Sequence, residues 1–82
     1  MLVTAEAILG AVREVAREHV SWTGPLRPEM RLVEDLGLDS LKLLTLTVEV
    51  ENRFRIRLDE ETEARIETVA DLVAAIRRLH GD

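Results

Sequence analysis

The sequence has no cysteine and no tyrosine, one tryptophan, one phenylalanine and two prolines. Without cysteine there are no disulfides and no thiolate metal sites. Trp22 and Phe54 are the only aromatic residues, so a core drawn from the 46% hydrophobic residues has to be aliphatic, built from Leu, Val, Ile and Ala. Positive charge is scarce too: 11 Lys and Arg face 16 Asp and Glu, for a net charge of −5. Nucleic acids and anionic membrane surfaces require a basic stripe that this chain lacks, whereas partners with basic patches suit it. No apolar run reaches transmembrane length, and the N-terminus lacks the basic and apolar regions of a signal peptide. The expectation is a cytoplasmic, monomeric protein with no nucleic-acid or membrane partner. His19 and His80 have no neighbours at ligand spacing, so no metal site is expected.

The 82 residues allow one domain, residues 1–82, with a modest core. At this size, stability without disulfides or metal calls for very regular helix packing. Ile8, Leu9, Val12, Val15 and Ala16 recur at helical spacing, with Glu6, Arg13, Glu14, Arg17 and Glu18 largely on the opposite face, which predicts a helix from Thr4, its N-cap, to His19. Val69, Leu72, Val73, Ile76 and Leu79 predict a second amphipathic helix over Thr68–His80. Thr68 and Asp71 form a capping-box pattern, Arg77 and Arg78 sit where the helix dipole favours cations, and Gly81 is a natural stop. Between Val20 and Asp39 lies a long irregular stretch with Gly24, Pro25 and Pro28, of a length that tends to be functional. Leu26, Met30, Leu32, Val33 and Leu36 are expected to pin it to the core, with Trp22 at the foot of the first helix.

The middle of the chain reads two ways. Leu44-Thr45-Leu46-Thr47-Val48-Glu49-Val50 and Phe54-Arg55-Ile56-Arg57-Leu58 both alternate, as two strands of a hairpin would. Leu43, Leu46, Val50 and Phe54 equally form a helical stripe, and Glu51-Asn52-Arg53 lacks the glycine that tight hairpins favour. A short helix is expected from Asp59-Glu60-Glu61 to Ile66.

The run Asp35-Leu36-Gly37-Leu38-Asp39-Ser40-Leu41 places a serine between the long loop and an apolar segment. Taken alone, Asp-Ser before an apolar run is the pattern of a helix cap. The wider register says more. Asp39-Ser40-Leu41 is followed by Phe54, Ile56, Leu58, Asp59-Glu60-Glu61, Ile66 and Thr68-Val69. In this order and spacing the chain resembles the acyl carrier protein family, without a gap from Asp35 to the C-terminus. The resemblance implies an all-α four-helix bundle with a long loop between helices 1 and 2 and a short third helix, so that the alternating segment becomes helix 2. It also implies that Ser40 receives 4′-phosphopantetheine from coenzyme A, whose thiol then holds an acyl group as a thioester. A helix N-terminus suits the phosphodiester, while Glu34, Asp35 and Asp39 repel it, so the arm is expected to swing. Tethering raises the effective concentration of cargo at each partner. The demanding chemistry stays with the cofactor and with partner enzymes, so the chain itself is not expected to be an enzyme.

In the family, positions around the serine meet partner enzymes, which carries Asp39, Leu41, Lys42, Thr45, Val48 and Glu51 forward as candidate partner contacts. The implied partners are a phosphopantetheinyl transferase, an acyl-loading acyltransferase or ligase, and a ketosynthase or other pathway enzymes. Lys42 and Thr45 depart from the acids common in carriers of fatty acid synthesis, and Arg53, Arg55 and Arg57 dilute the acidic face further. These departures favour a specialised pathway, polyketide or other natural-product assembly. The arginines themselves read as a solvated edge. An aminoacyl or peptidyl carrier, a helical interaction module that is never modified, and an α+β domain with a central hairpin are the alternatives. A hydrolase would need a histidine beside Ser40, and no G-x-S-x-G elbow surrounds it. Starting at Met1 and ending just past the last helix, the chain fits a stand-alone carrier.

Overall fold

The computed structural model describes residues 4–80. Four helices follow one another: α1 (Ala5–His19), α2 (Ser40–Phe54), α3 (Glu60–Ala64) and α4 (Val69–His80). The only β feature among the described residues is an isolated bridge between Arg31 and Thr68. The hairpin alternative is therefore excluded. α1 packs against both α2 and α4, and its Ile8, Val12, Val15 and Ala16 lie in one aliphatic core with Leu46 and Val50 of α2 and Val69, Leu72, Val73, Ala75 and Ile76 of α4.

α1 begins where Thr4 Oγ1 accepts the Ala7 N–H at 3.1 Å. It ends as the Val20 and Trp22 amides both close onto the Ala16 carbonyl. Trp22 packs there, half-buried, and its Nε1–H donates to the Pro25 carbonyl at 3.1 Å.

α2 shows why alternation misleads. A strand would place Leu44, Leu46, Val48 and Val50 on one face. The helix splits them: Leu46 and Val50 are buried, while Leu44 and Val48 are 57% and 41% exposed. The β-branched threonines are accommodated by bonding back to the preceding turn. Thr45 Oγ1 donates to the Leu41 carbonyl, and Thr47 Oγ1 lies 3.1 and 2.8 Å from the carbonyls of Leu43 and Leu44. Tertiary burial of the 3.6-residue stripe outweighs the local preference.

The capping-box pattern at Thr68 is realised: Asp71 N–H donates to Thr68 Oγ1, and Thr68 N–H donates to Asp71 Oδ2, both at 3.1 Å. The two remaining amides of that helix start, Val69 and Ala70, donate to the Met30 and Pro28 carbonyls of the long loop at 2.9 and 2.8 Å. All of these helix-start donors thus find acceptors. Asp71 also accepts from Glu67 N–H at 3.0 Å. The backbone N–H groups of Glu67 and Thr68 hold its carboxyl below the usual range. A depressed folded-state value contributes stability in full above the unfolded value of about 4 and loses it as pH falls through the folded value. Asp71→Ala is therefore expected to lower the urea midpoint at pH 7, with the gap to the parent chain narrowing as the pH is taken down through 4 toward 3.

Three expectations about packing are corrected. Val33 does not pin the loop: it is 56% exposed, and Leu38 is buried instead, alongside Leu26, Leu32 and Leu36. Leu79 lies at the edge of the stripe, 39% exposed. The short helix stops at Ala64 rather than Ile66, because the Arg65 and Ile66 amides switch to the carbonyls of Thr62 and Glu63, three residues back. Gly81, read as the stop of α4, lies outside the described residues.

Candidate functional site

The loop reaches Ser40 through a tight knot around Arg31. The Asp35 and Leu36 amides donate to the Arg31 carbonyl, and Asp35 Oδ2 accepts the Arg31 N–H at 2.7 Å. The Arg31 guanidinium pairs with Glu34 and lies 3.5 Å from Glu67. Glu34 and Asp35, expected to face the serine as repelling charges, are thus both turned onto Arg31. Gly37 then adopts a φ of +70°, which lets Leu36 and Leu38 on either side of it both enter the core. No atom lies within 4 Å of a Cβ built there, so Gly37→Ala meets only backbone strain, about 1–2 kcal/mol. A drop of that size in urea-unfolding free energy, with the helical circular dichroism retained, is the expected result.

Asp39, not Ser40, caps α2. Its Oδ1 accepts the Lys42 N–H at 2.8 Å and its carbonyl accepts the Leu43 N–H at 2.8 Å. Ser40 is the first helical residue, exposed, and its hydroxyl has no hydrogen-bond partner among the described residues. The cap reading of the serine is therefore displaced onto the aspartate before it. The amides of Ser40 and Leu41 also lack a partner among the described residues, and no acid occupies the first turn of α2. Two outward N–H groups at the positive end of a 15-residue helix, beside an unengaged hydroxyl, fit a phosphodiester. Next to the hydroxyl lies a groove of about 230 Å³ between α2 and α3, lined by Ser40, Leu43, Leu44, Thr47, Glu63 and Ile66. A larger open groove of about 710 Å³ runs between α1 and α4 and includes no residue of α2.

The candidate partner contacts divide into two groups. Leu41 is 72% exposed and, with Leu44, Thr45 and Val48, follows the i, i+3, i+4, i+7 spacing of a single helix face. Lys42 and Asp39 are exposed beside it. Leu44, which the sequence does not single out because it sits in the alternating run, joins this exposed face. Glu51 stands apart: half-buried, its Oε2 accepts the Leu58 N–H at 2.7 Å. Glu49 is likewise engaged, 3.5 Å from His19 Nε2. Arg53 pairs with Glu14 at 2.8 Å, while Arg55 and Arg57 are exposed.

Comparison with known proteins follows the same lines. A family model described as a phosphopantetheine attachment site matches residues 6–76. The meromycolate extension acyl carrier protein of Mycobacterium tuberculosis is 35% identical over 81 residues, covering 96% of this chain and 70% of that protein. The acyl carrier protein of Helicobacter hepaticus is 37% identical over 67 residues, covering 80% of this chain and 88% of its own. A solved structure of a candidate acyl carrier protein from Mycobacterium tuberculosis superposes with a TM-score of 0.80 at 30% identity, covering 85% of this chain and 95% of that one. Such carriers work with a phosphopantetheinyl transferase and with biosynthetic enzymes. No helix among the described residues is long and apolar enough to cross a membrane. With its helix order, its exposed serine and these matches, the chain belongs to the acyl carrier protein family, whose cofactor is covalently attached 4′-phosphopantetheine.

Proposed function

We propose that residues 1–82 form one non-catalytic cytoplasmic carrier domain that holds acyl groups as thioesters on a 4′-phosphopantetheine arm at Ser40. The observation that carries this reading is the division of labour at the start of α2: Asp39 performs the capping, which leaves the Ser40 hydroxyl exposed and unbonded. When bound, the arm supplies a thiol for the acyl group. The chain's own contribution is positional. The first-turn amides of Ser40 and Leu41 would meet the arm's phosphate, and the Arg31 knot engages the Glu34 and Asp35 carboxylates that would otherwise repel it. The apolar stripe of Leu41, Leu44 and Val48, flanked by Asp39, Lys42 and Thr45, offers partner enzymes a docking face. It would meet the transferase, a loading acyltransferase or ligase, and a ketosynthase in turn.

Lys42 at the head of that stripe, with Arg55 and Arg57 exposed beyond its far end, makes the face less acidic than a general fatty-acid carrier requires. This supports a specialised acyl-extension or polyketide pathway. The similarity to meromycolate extension carriers supports the fatty-acyl-extension branch. Incubating the apo protein with coenzyme A and a broad-specificity phosphopantetheinyl transferase, followed by intact-mass measurement, tests the proposal. A single phosphopantetheine adduct on the peptide containing Ser40 is the expected result, and its absence overturns the reading.

A further inference from the structure

We infer that Glu51 is a positioning residue for the α3 wall beside Ser40 and not a contact for partner enzymes; this rests on the carrier reading of Ser40. Glu51 sits in the last turn of α2 and holds the connection to α3 at three points. Its carbonyl accepts the Arg55 and Ile56 amides, and its Oε2 accepts the Leu58 N–H at 2.7 Å. With Oε2 held on a backbone amide, the carboxylate is turned toward the chain's own connection, and only Oε1 is left for a partner's cation.

The tie has a direct route to the site. Leu58 is buried, and the next residue, Asp59, starts α3 by accepting the Thr62 N–H at 2.8 Å on Oδ1 and the Glu63 N–H at 2.9 Å on its carbonyl. Glu63 and, just beyond the helix, Ile66 form the far side of the groove that Ser40 lines. α3 has only five residues and none of them is buried. Too short to be stable by itself, it depends on how the chain enters it. That entry contains neither proline nor glycine, and its turn residue, Arg55, is in the left-handed region at φ 55°. An L-residue disfavours that conformation, so the surrounding contacts must hold it.

Gln keeps a carbonyl oxygen for the Leu58 amide and removes the charge, whereas Ala removes both, so the two variants separate the roles. In the unmodified protein, Glu51→Ala is expected to raise amide exchange at Leu58 and across α3 by roughly tenfold, the size of one charge-assisted bond. Exchange in α1 and α4 should stay unchanged. Glu51→Gln should restore exchange to within about threefold of the parent. The transferase KM should rise in Glu51→Ala and return toward the parent value in Glu51→Gln. Unmoved α3 exchange in Glu51→Ala, or a KM raised equally by both variants, overturns the inference in favour of charge recognition. The exchange readout needs no cofactor, so it stands whether or not Ser40 is the residue that is loaded.

Discussion

Ser40→Ala is expected to fold like the parent chain and gain no mass with coenzyme A and transferase under conditions that convert the parent fully. The two halves of that result come from different atoms. The cap bond that starts α2 belongs to Asp39 Oδ1 and the Lys42 N–H, and the serine hydroxyl bonds to no described residue. The loss of about 1 kcal/mol that follows removal of a capping serine does not apply here. An exposed Ser-to-Ala change in a first helical turn stays within about 0.5 kcal/mol, since alanine is also the better helix former. Urea unfolding and circular dichroism check the first half, and intact mass checks the second. An adduct that survives the substitution places the arm elsewhere. A large loss of stability would mean that the hydroxyl has a structural role that Asp39 does not cover.

Leu72→Ala is expected to be severely destabilising. Leu72 is fully buried in α4, within the core that α1, α2 and α4 share. Leu-to-Ala changes at such positions cost about 2–5 kcal/mol, through lost transfer energy plus the cavity left behind. A domain of this length has about 4–12 kcal/mol in total, and no disulfide holds it together. The variant should show a much lower urea midpoint and a melting temperature lowered by some 10 °C or more. Phe54→Ala should cost less. The sequence suggests Phe54 as a core residue, but the side chain is half-buried, meeting the His80 ring edge-on at 6.0 Å between centroids. A Phe54 variant weaker than the Leu72 variant would contradict this ordering.

How far the sequence could be read depended on whether local pattern and tertiary packing agree. In α1 and α4 they agree. The stripe has the helical period, and Thr4, Thr68 and Asp71 announce helix starts that the structure realises bond for bond. In α2 they conflict, because four β-branched residues lie within an alternating run that competes with the helical stripe of Leu43, Leu46, Val50 and Phe54; the family register, with Phe54 fourteen residues after Ser40, tips the reading to the helix. The exposure of Leu44 was hidden by the same alternation. Val33 reads as an anchor in place of Leu38 for another reason: with no periodicity in the loop, the inward direction is set by Gly37 and the Arg31 knot, which composition does not reveal. Glu51 reads from the sequence as a candidate partner contact, and its bond to a backbone amide seven residues away is a structural finding. No side-chain pattern records such a bond.

The seam between the long loop and the last helix bears on how the protein opens. The Met30 and Pro28 carbonyls take the Val69 and Ala70 amides, and the Leu32 amide returns to the Glu67 carbonyl. These pairs join segments roughly forty residues apart, so they form only after a large loop has closed. Once formed, neither side leaves without breaking all three bonds, two of which involve the buried residues Leu32 and Val69. The last helix and the approach to Ser40 therefore open and close together as one cooperative unit. Fraying the start of the last helix is therefore expected to loosen the loop that leads to Ser40, although the two lie far apart in sequence.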